Sequence, residues 1–123
     1  MHEFSVSSEI VQTVLDATQK SNGKKVLSIQ IEIGELTLLN VEQIAYWIHE
    51  LFKGSMAEGA KVKLKKIKAR IRCGECQYGG KPNLNHREDY HHLIQFSCPK
   101  CGSIHIIIEK GRECVLKRIQ VLR

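Results

Sequence analysis

The sequence predicts an α+β fold: a small three-stranded sheet with two helices, into which a cysteine-stapled lobe is inserted. Three observations lead there. Two stretches with apolar residues at helical spacing flank a stretch of strict alternation. Two Cys-x-x-Cys pairs interrupt the second half of the chain. Beyond them a further alternating segment remains, long enough to return to the first part and complete its sheet. With 123 residues, 42% of them hydrophobic, the chain makes one ordinary domain, or a small one carrying the stapled lobe.

The elements follow in order. Residues 5–21 read as an amphipathic helix, with Val6, Ile10, Val11, Val14, Leu15 and Thr18 on one side. Ser5 is the expected N-cap, and Asn22-Gly23 stops the helix. Residues 26–33 alternate, placing Leu27, Ile29, Ile31 and Ile33 on the buried face of a strand. A second helix runs from about Val41 to Lys53, capped by Asn40 with Gln43 three positions on, and closed by Gly54. Its stripe is Ile44, Ala45, Ile48, Leu51 and Phe52. A long strand from Lys61 to Arg72 follows, with a change of phase that predicts a bulge near Lys65-Lys66. After the cysteine pairs come a short strand over 104–109, a turn at Lys110-Gly111-Arg112 and a last strand over 114–122. This divides the chain into residues 1–70, completed by 111–123, and an inserted lobe of residues 71–110.

The pairs are Cys73-Gly74-Glu75-Cys76 and Cys98-Pro99-Lys100-Cys101-Gly102. A two-residue spacer lets both thiolates of a pair reach one ion, and two pairs supply the four sulfurs of a closed tetrahedral zinc site. The inserted lobe is therefore expected to be a zinc ribbon. Gly102 suits the tight turn of such a knuckle, because glycine tolerates positive φ. A disulfide pair and a rubredoxin-like iron site are the competing readings. No segment approaches a membrane span, and no secretory leader is apparent, so the expected place is the cytoplasm, where reduced thiols favour metal over disulfide.

Formal net charge is +6, and the excess concentrates at Lys61, Lys63, Lys65, Lys66, Lys68, Arg70 and Arg72. Such a segment can attract nucleic acid or an acidic protein. A solvated strand with lysine gatekeepers explains it as well, and aromatics are not interleaved as base stacking requires. No P-loop and no nucleophile elbow occur, so the chain reads as a non-enzyme.

The start, Met1-His2-Glu3, offers a second metal site. His2 is large, so Met1 is expected to stay. The Met1 α-amine, the His2 amide nitrogen and the His2 imidazole can then chelate one ion in fused rings. Such planar nitrogen sets suit nickel(II) and copper(II), while zinc has no need of them. The Glu3 amide can replace the amine, and the Glu3 carboxylate can serve as an outer ligand or a partner to one. A frayed terminus is the plain alternative.

Met1-His2-Glu3 leading straight into a helix, the segment Ile31-Glu32-Ile33-Gly34-Glu35-Leu36, then Ala57-Glu58-Gly59-Ala60, and the two cysteine pairs together resemble the HypA family, nickel metallochaperones of [NiFe]-hydrogenase maturation. The resemblance spans nearly the whole chain. It implies a nickel-binding lobe around His2 and Glu3, and a zinc ribbon held by Cys73, Cys76, Cys98 and Cys101. It also implies two partners: a nickel-delivery P-loop GTPase like HypB, and the hydrogenase large-subunit precursor. The 21 residues between the pairs look like the longer archaeal type, in which a histidine of the insert joins the nickel; His86 is the expected position, with His91 and His92 as alternatives.

Other residues carry plainer readings. His49 belongs on a helix surface, His105 beside the knuckle but outside it, and Cys114 in a strand as a buried, inert thiol. Trp47 and Tyr46 fit either core or a partner surface. The rival to a nickel carrier is a basic zinc-ribbon module that binds nucleic acid or a transcription component. A homodimer is compatible with either.

Overall fold

The alternating segment builds the centre of the fold. The computed structural model describes residues 2–86 and 94–123, with backbone alone over 83–86 and 94–96. The central strand is β1, Lys25–Gly34. It pairs in parallel with β2, Lys61–Ile67, and antiparallel with the C-terminal strand Cys114–Leu122. The parallel pair needs a crossover, and a helix, α2, Val41–Phe52, supplies it. The first helix, α1, Glu3–Lys20, packs beside α2. Ile29, Ile31 and Ile33 of β1 meet Ile10, Val11 and Val14 of α1 and Ile44, Ile48 and Phe52 of α2 in one core.

Three expectations are corrected. First, α1 begins at Glu3, so its N-cap is His2 and not Ser5. Ser5 is the better capping residue by type, but Glu3 in the first turn finds a tertiary partner, which carries the helix two residues further. The other end behaves as expected. Asn22 takes a left-handed φ of 59°, the Gly23 N–H donates to the Thr18 carbonyl at 2.9 Å and the Asn22 N–H to Gln19 at 3.1 Å, which is a Schellman cap.

Second, Leu27 is 38% exposed, and Val26 is the buried residue. The register against the C-terminal strand shifts between Val26 and Ser28. Leu27 is thus an extra residue, a bulge that turns Val26 inward.

Third, residues 61–72 are not one bulged strand. β2 ends at Ile67, where β1 ends at Gly34, and a new strand, β3, Arg70–Cys73, joins a different sheet. There β3 lies between β4, Gly79–Gly80, and a strand at Ile106–Lys110. The insert also carries two antiparallel strands, β5, Asn83–His86, and β6, Ile94–Ser97. In chain order the last two strands are β7, Ile106–Lys110, and β8, Cys114–Leu122.

The chain crosses between the two larger sheets twice, at Lys68-Ala69 and at Gly111–Glu113. The crossings touch. A Cβ on Gly111, whose φ is +92°, would lie 2.7 Å from the Ala69 Cα, and one on Gly34 would overlap the Gly111 carbonyl. The Gly34 N–H donates to Glu113 (2.9 Å) and the Leu36 N–H to Gly111 (2.8 Å). Side chains are excluded here because backbone must meet backbone.

Candidate metal centre

Each cysteine pair sits at a tight turn. Cys73 ends β3, and its carbonyl accepts the Gln77 N–H at 3.2 Å; in the second pair the Cys98 carbonyl accepts the Gly102 N–H at 2.8 Å. The residue closing each turn is left-handed. Gly102 has φ 77°, as its type suggested, and Gln77 has φ 63°, which no residue-type signal announced. The two knuckles face each other. All four Sγ atoms lie within 4.8 Å of one another, with Cys73–Cys101 at 3.6 Å and Cys76–Cys98 at 3.5 Å.

None of the five cysteines is in a disulfide. A tetrahedral ion with metal–sulfur bonds of about 2.3 Å needs sulfurs about 3.8 Å apart. The observed spacing matches that arrangement. Backbone amides already favour thiolate here: the N–H groups of Cys76 and Glu75 reach the Cys73 sulfur at 3.4 Å each and draw its pKa down to about 6. Cys101 moves the other way, up to about 12; the Ser103 N–H works against the rise, but loss of solvent around the sulfur and the three neighbouring sulfurs outweigh it. Four thiolates this close repel one another, and a cation at the centre resolves the conflict. Cys73 and Cys98 are buried, whereas Cys101 is exposed.

The amino-terminal residues are arranged differently. His2 is exposed, and its carbonyl accepts the Val6 N–H at 2.9 Å. Glu3 is buried at 6% exposure, and its carboxylate accepts the Asn40 N–H at 3.1 Å. The chain's α-amine first, and the Asn40 N–H second, hold its pKa down at about 2 against the opposing effect of burial. Asn40 also caps α2 by accepting the Gln43 N–H on its side-chain oxygen (3.1 Å). Glu3 therefore ties the first residues to the start of α2, a link that sequence reasoning missed because its donor is a backbone amide. Met1, His91 and His92 lie outside the described residues. His86 pairs its backbone with Ile94, and its side chain lies outside them too.

Among the described residues the four cysteines form the only cluster of metal-ligating side chains, and His105 is not part of it. His105 is exposed, and its carbonyl accepts the Gly74 N–H. His49 is exposed on α2, as read from the sequence. Beside the chain start lies an aromatic trio. Phe4 meets Trp47 edge-on at 4.9 Å, and Trp47 meets Tyr46 at 5.1 Å. Phe4 and Tyr46 are more than half exposed. No helix among the described residues is long and apolar enough to cross a membrane.

A helical pair on a three-stranded sheet, joined to a second sheet whose cysteine knuckles hold four sulfurs together, defines a small metal-binding protein of two joined parts. The chain belongs to the HypA family, described as hydrogenase/urease nickel incorporation, metallochaperone, whose model matches residues 1–121. It is 39% identical over 121 residues to a hydrogenase maturation factor HypA of Methanothermobacter thermautotrophicus, covering 98% of this chain and 97% of that one. A second such factor, from Methanopyrus kandleri, is 32% identical over 132 residues, covering 98% and 93%. The solution structure of the nickel metallochaperone HypA from Helicobacter pylori superposes with a TM-score of 0.66 at 25% identity, over 99% of this chain and 98% of that one.

Proposed function

We propose that this chain is a nickel carrier that binds Ni(II) at its amino terminus and delivers it during [NiFe]-hydrogenase maturation. The observation that carries this reading is the match of one nickel-incorporation family over residues 1–121, on a chain that places His2 and Glu3 at the mouth of its first helix. Nickel is the cargo. The His2 imidazole, the His2 amide and the Met1 α-amine hold it in a plane, with Glu3 steadying the turn and His86 of the insert as the added ligand. Residues 1–70 with 111–123 form the nickel-binding lobe, and residues 71–110 form the zinc ribbon. In the ribbon Cys73, Cys76, Cys98 and Cys101 hold zinc, and the ion's role is to fix the lobe. Chemistry supports zinc over nickel there, because four thiolates in a closed tetrahedron leave no position for exchange. The reading makes the protein a carrier and not an enzyme, working in the cytoplasm with a HypB-like GTPase and the hydrogenase large-subunit precursor.

The test is a nickel titration of zinc-loaded protein with an untagged start. His2→Ala abolishes the tight site, and one residue added before Met1 weakens it, because the amine is displaced. Affinity falls in acid, since imidazole, amine and amide must all shed protons to bind. Unchanged stoichiometry and affinity in His2→Ala would defeat the assignment.

A further inference from the structure

We propose that the outer edge of β2, with Lys61, Lys63 and Lys65 and the cleft at its far end, takes an extended acidic segment of a protein partner as an added strand. The edge comes first. β2 is outermost in the order β2-β1-β8, so among the described residues no strand pairs with its far side. Val62 and Leu64 turn toward the core and are half-buried, while Lys61, Lys63 and Lys65 are exposed on the opposite face.

The charges on that face are not neutralised. The β1 residues opposite the lysines are Ser28, Gln30 and Glu32. Only Glu32 is anionic, and it already pairs with Lys117 at 3.9 Å. Lys61, Lys63 and Lys65 make no ion pair among the described residues.

The row runs into a cleft of about 550 Å³ between β2 and the β7–β8 turn. Its charged lining is Lys65, Lys110 and Arg112 against Glu32, Glu109 and Glu113. Glu109 is taken by Arg70 at 3.5 Å, as Glu32 is by Lys117. Three cations then face one uncommitted carboxylate, Glu113. The lysine row and the cleft meet at Lys65, which belongs to both.

The geometry selects a polypeptide. Residues two apart on a strand face the same way, about 6.6–7 Å from each other. Acidic side chains at alternate positions of an added strand match the lysine row, while its backbone pairs with the free edge. A nucleic acid has no backbone amides to pair there, and no aromatic side chain lies on β2 or in the cleft to stack a base. A second copy of this chain would set lysine against lysine, so the same residues turn self-pairing away. None of this depends on which metal the chain carries.

The probe is a fluorescein-labelled peptide of about nine residues with Glu at alternate positions and Thr or Val between, and its twin with Gln for Glu. Binding to zinc-loaded protein is read by anisotropy at roughly 150 mM salt. The Glu peptide should bind at least about tenfold more tightly than the Gln twin. The triple variant Lys61→Glu, Lys63→Glu, Lys65→Glu should lose at least about tenfold with its melting temperature retained. Should that variant unfold, Lys110→Glu with Arg112→Glu tests the cleft end with the same expected loss. Amide shifts should map to 61–67 and 110–112. Equal binding of both peptides, variants that bind as wild type, shifts elsewhere, or tighter binding of duplex or single-stranded DNA through the same lysines would each overturn the proposal.

Discussion

Replacing Gly111 by alanine tests how the two parts of the molecule are joined. The residue has φ +92°, and its added Cβ would meet the Ala69 Cα at 2.7 Å and the Ala69 N at 3.0 Å. Both are backbone atoms held by the crossing, so neither can swing aside. A left-handed alanine costs about 1–2 kcal/mol. Overpacking against fixed atoms adds about 1–3 kcal/mol. The stiffer unfolded chain returns about 0.4–1 kcal/mol. The net expectation is a loss of about 2–4 kcal/mol, or a fall in melting temperature of roughly 8–15 °C. Gly59 is the internal control: its φ is +82° and nothing lies within 4 Å of its added Cβ. Gly59→Ala carries the strain alone and should cost about 1 kcal/mol. Thermal and guanidinium unfolding of the zinc-loaded proteins measure both. If Gly111→Ala is no worse than Gly59→Ala, contact with Ala69 is not what demands glycine there.

The bulge at Leu27 predicts that Val26→Ala loses about 2 kcal/mol while Leu27→Ser stays within about 0.5 kcal/mol, and urea unfolding with the reverse order would refute it. Glu3 is depressed from 4.5 to about 2 in the folded chain, so its stabilisation is full above pH 4.5 and drains away as the pH falls toward 2. In nickel-free protein Glu3→Gln, which keeps an acceptor for the Asn40 N–H, should flatten the stability profile across that window; an unchanged slope would show that the charge is not held there. Cys98→Ala should drop bound zinc from one equivalent to none by elemental analysis and broaden the amide signals of 70–80 and 97–110 while α1 and α2 keep theirs.

What was legible in the sequence was whatever depended on neighbours along the chain. The cysteine spacing gave the knuckles, Asn40 and Gln43 gave the cap of α2, and the alternation around Ile29, Ile31 and Ile33 gave the core strand. The errors arose where distant pairing decides. Leu27 is expelled by the register of β8, and β2 stops because β1 does. α1 starts early because Glu3 meets Asn40, 37 positions away. Gln77 occupies a left-handed turn because its knuckle requires it, though its residue type prefers otherwise. Backbone nitrogens carry no residue-type signature, so the proposed amino-terminal site shows in the sequence only as one histidine at position 2.

The central strand waits for its second neighbour. Ser28 and its β8 partner Gln120 stand 92 positions apart, and the whole cysteine-bearing insert is synthesised between them. Closing so long a loop is slow, and until it closes one side of β1 is an open template for misassembly. An ion that gathers Cys73 and Cys101 would take 28 positions, under a third, out of that loop of 92 beforehand. Metal capture by the insert would then ease closure of a sheet that the ion never touches, and a chain made without the ion should aggregate through β1 more readily.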